Sequence, residues 1–358
     1  MIRPADHIAA MAPYALASVP DGDGVQSLSQ NECFRPPTPL AIAAAAAAAA
    51  NAALYPDPDC TALRHALGAR HNVDPGTIVV GAGSLDLIAA LVRIYAGPGR
   101  SVLAPAHAYP FIRTAAQLAA ARLDLAPERN GHVDTGALLA AVSADTGIVF
   151  IANPANPTGT RLPRADLLRL RAGLRDDILL ILDEAYGEFA DHLEPPDCTV
   201  IDSGNTAVLR TFSKAYGLAG LRVGWGVFPP AVAAELRKVQ SPNGVSAPSQ
   251  AAALAALGDQ GYMQATCQET ARLRALASRL LGQAGFTVLP SHTNFVLLDL
   301  GTAQAAERAD AVLRAAGLIA RRQGGAGLPQ ALRITLGPEP ALMRAIETLI
   351  DWNTGGRT

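Results

Sequence analysis

Residues 211–224 read TFSKAYGLAGLRVG, and this stretch is the most informative part of the sequence. It places Lys214 among small and apolar residues at the end of a short apolar run, where the amine can lose its contact with water. Because loss of solvent disfavours the charged form, such a lysine deprotonates readily, as Schiff-base chemistry requires. The hydroxyls of Thr211 and Ser213 and the guanidinium of Arg222 offer a phosphate site beside it. The alternative interpretation is a strand followed by a glycine-rich turn that carries an exposed lysine.

Short apolar runs alternate with amphipathic stretches from about residue 77 to residue 228. We predict five strands, at Thr77–Val80, Ser101–Ala104, Gly147–Ile151, Ile178–Leu182 and Ala207–Thr211. Runs that are apolar nearly throughout are typical of strands covered by helices on both faces. The sequence therefore predicts an α/β fold with a mainly parallel sheet, whose ligands bind beyond the carboxyl ends of the strands.

The pattern changes after Pro242, where longer helical stretches surround two strand-like runs. We predict helices at 249–257, 262–284 and 303–316, strands at 294–300 and 331–336, and a last helix that ends near residue 352. This is typical of a smaller α+β unit. The predicted organisation is an N-terminal arm at 1–27, a large domain at 28–243 and a small domain at 244–358.

Two further polar motifs follow predicted strands. The run DEAY at residues 183–186 places Asp183 at a strand end, where it can keep a pyridine nitrogen protonated. Tyr186 of the same run, and Asn156 of the run NPANPTG at residues 153–159, can both donate to the phenolate oxygen of that ring.

The run GAGSLD at residues 81–86 lies between a predicted strand and a predicted helix. Backbone N–H groups at such a helix start bind phosphate. A nicotinamide dehydrogenase is the rival interpretation, but a dinucleotide fingerprint has glycine where Asp86 stands.

Composition restricts the class of protein. The 358 residues are 50% hydrophobic and 17% charged, which predicts a substantial core, and a net charge of -2 favours neither nucleic acid nor an anionic membrane as partner. Four scattered cysteines predict reduced thiols in a cytoplasmic protein, and seven histidines without ligand spacing predict no metal site. The alanine run Ala43–Ala50 follows Pro39 and predicts a soluble helix rather than a membrane span.

Together these residues resemble fold-type I enzymes that use pyridoxal 5'-phosphate (PLP), and within them the histidinol-phosphate aminotransferase family. The resemblance extends from LSQNE at residues 28–32, through YPDP at 55–58, to LRITLG at 332–337. It implies ping-pong transfer of an amino group to a 2-oxo acid such as 2-oxoglutarate, a role in histidine biosynthesis, and a homodimer with shared active sites.

The resemblance also assigns cofactor roles to individual residues. It implies a Schiff base with PLP on Lys214, a pyridinium partner at Asp183 and a catalytic role for Tyr186. The residues that it places around the cofactor phosphate are Gly83, Ser84, Thr211, Ser213 and Arg222, with Asn156 at the phenolate oxygen. Tyr55 matches a tyrosine that crosses to the neighbouring subunit's cofactor phosphate. Either Tyr109 or His107 stacks on the ring, and we prefer Tyr109.

On the substrate side, Arg333 matches the arginine that clamps an amino-acid carboxylate, and Arg321 and Tyr14 match positions that meet a substrate phosphate. Two stretches, CFRPP at residues 33–37 and SPNGVS at 241–246, depart from the family pattern near the substrate side chain. Histidinol phosphate is the favoured donor. Transamination of an aromatic amino acid and decarboxylation of a phosphothreonine-type substrate remain alternatives. A non-catalytic regulator with this fold is disfavoured, because such a regulator normally carries a fused DNA-binding domain.

Overall fold

A computed structural model describes residues 2–13 and 24–355. The strands are β1 Gln26–Ser27, β2 Ile78–Gly81, β3 Ser101–Pro105, β4 Leu123–Ala126, β5 Glu128–Arg129, β6 His132–Val133, β7 Thr146–Ala152, β8 Leu179–Asp183, β9 Thr206–Thr211, β10 Gly224–Val227, β11 Thr287–Val288, β12 Phe295–Asp299, β13 Leu318–Ile319, β14 Arg321–Gln323 and β15 Leu328–Thr335.

The helices are α1 Asp6–Ala9, α2 Pro39–Ala49, α3 Thr61–His71, α4 Ser84–Tyr95, α5 Phe111–Leu118, α6 Thr135–Ala141, α7 Arg164–Gly173, α8 Pro230–Val239, α9 Ala247–Gly258, α10 Gln260–Gln283, α11 Ala303–Ala315 and α12 Glu339–Thr354. The predicted alanine-rich helix is α2, with Pro39 in its first turn, and it packs against α9. Within the described ranges, no helix is long and apolar enough to cross a membrane.

A seven-stranded sheet forms the larger part of the molecule, in the order β2-β10-β9-β8-β7-β3-β4. Five neighbouring strands, from β9 to β4, are parallel, and β10 is antiparallel to both of its neighbours. The five predicted strands all lie in this sheet, so the α/β prediction is confirmed. Sequence reasoning missed β4, a partly exposed edge strand, and β10, whose run GWGV is too short and glycine-rich to show a pattern.

The sheet is buried on both faces. On β7, Val149 and Ile151 pack into one hydrophobic core, whereas the alternate residues Ile148 and Phe150 pack into another. Because successive side chains of a strand point to opposite faces, these two cores lie on the two sides of the sheet. This explains why the strand sequences are apolar throughout rather than alternating.

A second, antiparallel sheet has the order β11-β12-β15-β14 and shares a core with α10, α11 and α12. Leu28 is buried in that core, because β1 pairs with β13 directly before it. Residues 26–28 therefore pack on the core of the antiparallel sheet before the chain enters the seven-stranded sheet. The domain bounds at residues 28, 243 and 244 stay a prediction.

The fold brings three strand ends together. Ala152 at the end of β7 is the register partner of Asp183 at the end of β8, and β9 ends next to them at Thr211. Polar residues that follow these strands therefore meet at one edge of the sheet, which is where an open α/β sheet binds its ligands.

Candidate active site

A cavity of about 450 Å³ opens at this edge, between the two sheets. The predicted site residues that line it are Ser84, Tyr109, Asn156, Asp183, Tyr186, Thr211, Ser213, Lys214, Arg222, Arg321 and Arg333. Residues from both sheets therefore face one space. Gly83 adjoins it through its contact with Arg222.

Lys214 lies at the cavity wall just after β9, and its side chain is half-buried rather than exposed. Its Nζ donates to the backbone carbonyl of Asn31 at 2.9 Å and to that of Gln30 at 3.2 Å. Burial, together with the nearby cations Arg333 and Arg222, lowers the pKa of the amine to about 8. The neutral, nucleophilic form of the amine is therefore more abundant near neutral pH than it is for an exposed lysine.

Asp183 is the last residue of β8 and is only 4% exposed. Burial raises the pKa of its carboxyl to about 7, although the N–H of Ala185, which donates to Oδ1 at 3.2 Å, acts in the opposite direction. A buried carboxyl of this kind favours a cationic partner, which restores the ionised form.

Tyr186 is held by two amides. Its phenol oxygen accepts from Nδ2 of Asn31 at 2.7 Å and from Nδ2 of Asn156 at 3.3 Å. Oδ1 of Asn156 in turn accepts from Nη1 of Arg333 at 2.7 Å, and Nη2 of Arg333 donates to the carbonyl of Ser29 at 2.7 Å. One network therefore connects the predicted cofactor side of the cavity with the predicted substrate side.

Hydroxyl and guanidinium groups converge at the part of the cavity formed by Thr211, Ser213 and Arg222. Oγ1 of Thr211 donates to Oγ of Ser213 at 2.9 Å, and Nη1 of Arg222 donates to the same oxygen at 3.2 Å. Gly83, with a φ of +87°, allows this approach, since a Cβ there would lie 3.1 Å from Cζ of Arg222 and closer still to Nη2. The N-terminus of α4, which begins at Ser84, faces the same region and favours an anion.

The two candidates for the stacking ring, Tyr109 and His107, lie in different surroundings. Tyr109 lines the cavity, whereas His107 does not. The His107 ring lies with Nδ1 2.9 Å from the carbonyl of Ala326, and its backbone N–H donates to Glu128. Of the two rings, Tyr109 lies at the cavity, and its stacking on a cofactor stays a prediction.

Two predicted residues lie away from the cavity. Tyr55 is 88% exposed and does not line it, and Tyr14 is outside the described residues. An exposed Tyr55 is compatible with a role in a neighbouring subunit, which the single chain does not test.

Arg321 and Arg333 are direct register partners on the antiparallel strands β14 and β15. Directly opposed side chains share one face of a sheet, so both guanidiniums point to the cavity that they line. Arg322 behaves differently, because its Nη1 donates to Glu307 at 3.1 Å on the exposed surface. Of the two neighbouring cations, only Arg321 belongs to the cavity.

Sequence reasoning assigned no role to several residues that line the cavity, namely Gln30, Asn31, Glu32 and Gln323. Asn31 matters most, because it has a φ of +56°, contacts both Tyr186 and Lys214, and exchanges hydrogen bonds with Thr335. The motif at residues 28–32 was the available signal. In the described part of the chain, no group of three or more potential ligands could hold a metal ion.

Comparison with known proteins identifies the family. Residues 23–349 match the family described as aminotransferase class I and II. The chain is 40% identical over 339 residues to a histidinol-phosphate aminotransferase of Granulibacter bethesdensis, with 94% of this chain and 92% of the relative covered. It is 42% identical over 321 residues to one of Paramagnetospirillum magneticum, with 88% of each chain covered.

Solved structures agree. The histidinol-phosphate aminotransferase of Sinorhizobium meliloti, solved in complex with PLP, superposes with a TM-score of 0.91 at 30% identity, covering 99% of this chain and 98% of that chain. An aspartate aminotransferase of Thermus thermophilus shares the fold at 22% identity, with a TM-score of 0.84 and coverage of 98% and 99%. The resemblance inferred from the sequence is confirmed, and this chain belongs to the aminotransferase class I and II family.

Proposed function

We propose that this aminotransferase uses PLP to move an amino group between histidinol phosphate and 2-oxoglutarate, in a ping-pong sequence. The observation that carries the proposal is the cavity itself, where a lysine with a lowered pKa, a buried carboxylate and two opposed arginines face one space. The relatives quoted above, which are named for this activity, support it.

The residues present fit the cofactor. Arg222, whose guanidinium occupies the place of a side chain at Gly83, and Ser213 would hold its phosphate, and Lys214 would bind its aldehyde carbon. The buried Asp183 would keep a proton on the ring nitrogen, since that cation offsets the cost of burying the carboxylate. When bound, PLP supplies an electron-withdrawing ring that stabilises negative charge on the α-carbon of the substrate.

Lys214 is also the residue that we assign to proton transfer. With a substrate bound, its neutral amine would take the proton from the substrate α-carbon. Proton transfer by a positioned group of this kind typically contributes about 10²–10⁴-fold to a rate. Tyr186, fixed by Asn31 and Asn156, would orient the ring through its hydroxyl, and Tyr109 would cover one face of the ring.

The opposed arginines support a substrate with two negative charges. Like charges directly across a sheet are destabilising, so an anion that binds between Arg321 and Arg333 would stabilise the pair. A phosphate monoester carries about −1.5 to −2 charges at pH 7, and 2-oxoglutarate carries two carboxylates. An aromatic amino acid offers one carboxylate only. The arginine pair therefore favours histidinol phosphate over an aromatic donor.

A homodimer is the assembly that we propose, in the cytoplasm. Large apolar side chains are exposed on and after α2, among them Leu40, Ile42 and Leu54. An exposed apolar surface of this kind is typical of an interface between subunits. Tyr55 lies beside Leu54, and in a dimer it would serve the neighbouring cavity.

Two measurements test the proposal. Borohydride reduction in the presence of PLP should fix the cofactor to Lys214, and peptide mapping that finds the label elsewhere would contradict the cofactor assignment. A panel of histidinol phosphate, phenylalanine and phosphothreonine, each with 2-oxoglutarate, should give the highest kcat/KM with histidinol phosphate. Glutamate formation with phenylalanine alone would indicate an aromatic aminotransferase, and release of carbon dioxide from phosphothreonine would indicate a decarboxylase.

A further inference from the structure

A second charged cluster lies behind the cavity, around Arg210 on β9. Arg210 is 3% exposed, and its guanidinium is held by carboxylates on two sides. Nε and Nη2 donate to Oε2 of Glu184 at 3.0 and 2.8 Å, and Nη1 and Nη2 donate to the two oxygens of Asp191 at 2.9 Å each. Glu188 approaches Nη1 at 3.6 Å. Lysine cannot reproduce this forked geometry.

All three carboxylates belong to one short segment, residues 184–191, which turns back on itself through the 3₁₀ helix Gly187–Phe189. The N–H of Gly187 donates to the carbonyl of Glu184, and the N–H of Ala190 donates to that of Gly187. The guanidinium fills the inside of this turn, since a Cβ on Gly187 would lie 2.7 Å from its Nη2.

The same segment carries groups of the active site on its other side. It begins directly after Asp183, and it contains Tyr186, whose hydroxyl meets Asn31 and Asn156 in the cavity. Arg210 itself precedes Thr211, so the guanidinium ties the turn to the strand that leads to Lys214.

We propose that Arg210 is a positioning residue, which holds the turn at residues 184–191 against β9 and so fixes Tyr186 and Asp183 at the cavity. The charges support this role. Without Arg210, the buried Glu188 and the partly exposed Glu184 and Asp191 would face one another with no cation between them, and their repulsion would push the turn away from the strand. The inference rests on the proposed function for its kcat and absorbance readouts, whereas its hydrogen-exchange readout does not need the cofactor.

The experiment compares Arg210→Lys with a matched control, Arg171→Lys. Arg171 is also 3% exposed, but it donates to backbone carbonyls, including those of Ile178 and Asn205. These two residues directly precede β8 and β9, at the edge of the sheet away from the cavity. Both substitutions remove a buried guanidinium that makes several hydrogen bonds, so both should lower the melting temperature. Only Arg210→Lys should disturb the cavity.

Three readouts separate positioning from general destabilisation. In Arg210→Lys, hydrogen exchange of residues 184–191 should accelerate at least tenfold in the protein without cofactor, and kcat should fall by about 10- to 100-fold, the loss expected for a catalytic group displaced by about 1 Å. With PLP bound, the pH midpoint of its visible absorbance should rise, because a displaced Tyr186 no longer donates to the phenolate form. Arg171→Lys should leave all three close to wild type.

If Arg210→Lys does not fold, Asp191→Asn provides the same test, since it weakens one side of the fork at a partly exposed residue. For Asp191→Asn we expect a smaller increase in exchange rate, a smaller decrease in kcat and a smaller rise in the absorbance midpoint. Equal exchange and equal absorbance midpoints in the Arg210 (or Asp191) and Arg171 variants would overturn the proposal. A wild-type protein that does not bind PLP would instead refute the proposed function, and the exchange measurement would still decide the role of Arg210.

Discussion

Gly83→Ala is the sharpest test of the phosphate site. A Cβ at residue 83 would lie 3.1 Å from Cζ of Arg222 and nearer still to Nη2, inside the separation of about 3.5–4.0 Å that carbon atoms prefer. The guanidinium must therefore leave its present position, from which Nη1 donates to Ser213 at 3.2 Å. One charge-assisted hydrogen bond is worth about 1.5–3 kcal/mol, so the Kd for PLP should increase by about 10- to 100-fold.

The chain provides a matched control for this substitution. Gly99 has a φ of +83°, close to the +87° of Gly83, but a Cβ at residue 99 would meet nothing within 4 Å. Alanine is strained at a positive φ in either place, and Gly83 also has a ψ of 163°, a region that only glycine adopts readily, so Gly83→Ala should lose more thermal stability than Gly99→Ala. Fluorescence titration of the cofactor-free proteins with PLP then shows whether cofactor binding at Arg222 is weakened as well. Equal dissociation constants for Gly83→Ala and Gly99→Ala would refute the assignment of Arg222 to the phosphate.

Four further predictions follow from the cavity. Asp183→Asn should leave PLP bound but nearly abolish transamination, because an amide does not hold the ring nitrogen protonated; activity within a few-fold of wild type would assign that role to another residue. Arg321→Ala should lower kcat/KM for histidinol phosphate by about 10- to 100-fold while sparing phenylalanine, with Arg322→Ala as the surface control, and equal losses on both donors would make Arg321 structural. Mixed dimers of Tyr55→Phe and Lys214→Ala subunits should be more active than the Tyr55→Phe homodimer, since one of their sites carries neither defect, and light scattering that shows a monomer would contradict this. The rate at which the cofactor-free protein takes up PLP should rise with pH around a midpoint near 8, as the Lys214 amine loses its proton; a midpoint near 10 in stopped-flow measurements would mean that burial does not lower its pKa.

Local patterns in the sequence were sufficient to predict five of the seven strands of the large sheet and the polar groups at its edge. Strands β7, β8 and β9 are largely apolar because both of their faces are buried, so they can be predicted from the sequence. The polar motifs stand immediately after them, so the prediction that they meet followed from the parallel arrangement alone.

Other features were invisible because they depend on residues far apart in the chain. Asn31 reaches Tyr186 across 155 positions and Thr335 across 304. Its contacts are set by the way in which residues 26–28 join the smaller core, and no periodicity in the sequence encodes that. The roles of the neighbouring Arg321 and Arg322 differ for a similar reason, since only the register of β14 on β15 decides which side chain faces the cavity.

From local patterns alone, the sequence therefore predicted the groups of the candidate site: a lysine, a carboxylate, hydroxyls and a guanidinium at the ends of buried strands. The tertiary structure decided how those groups are held. It alone placed Asn31 on Tyr186, set Arg321 opposite Arg333, and enclosed Arg210 within the turn that follows Asp183. The physical reason is that hydrophobic periodicity is a local property of the chain, whereas burial, register and the pairing of charges arise only when distant segments pack together.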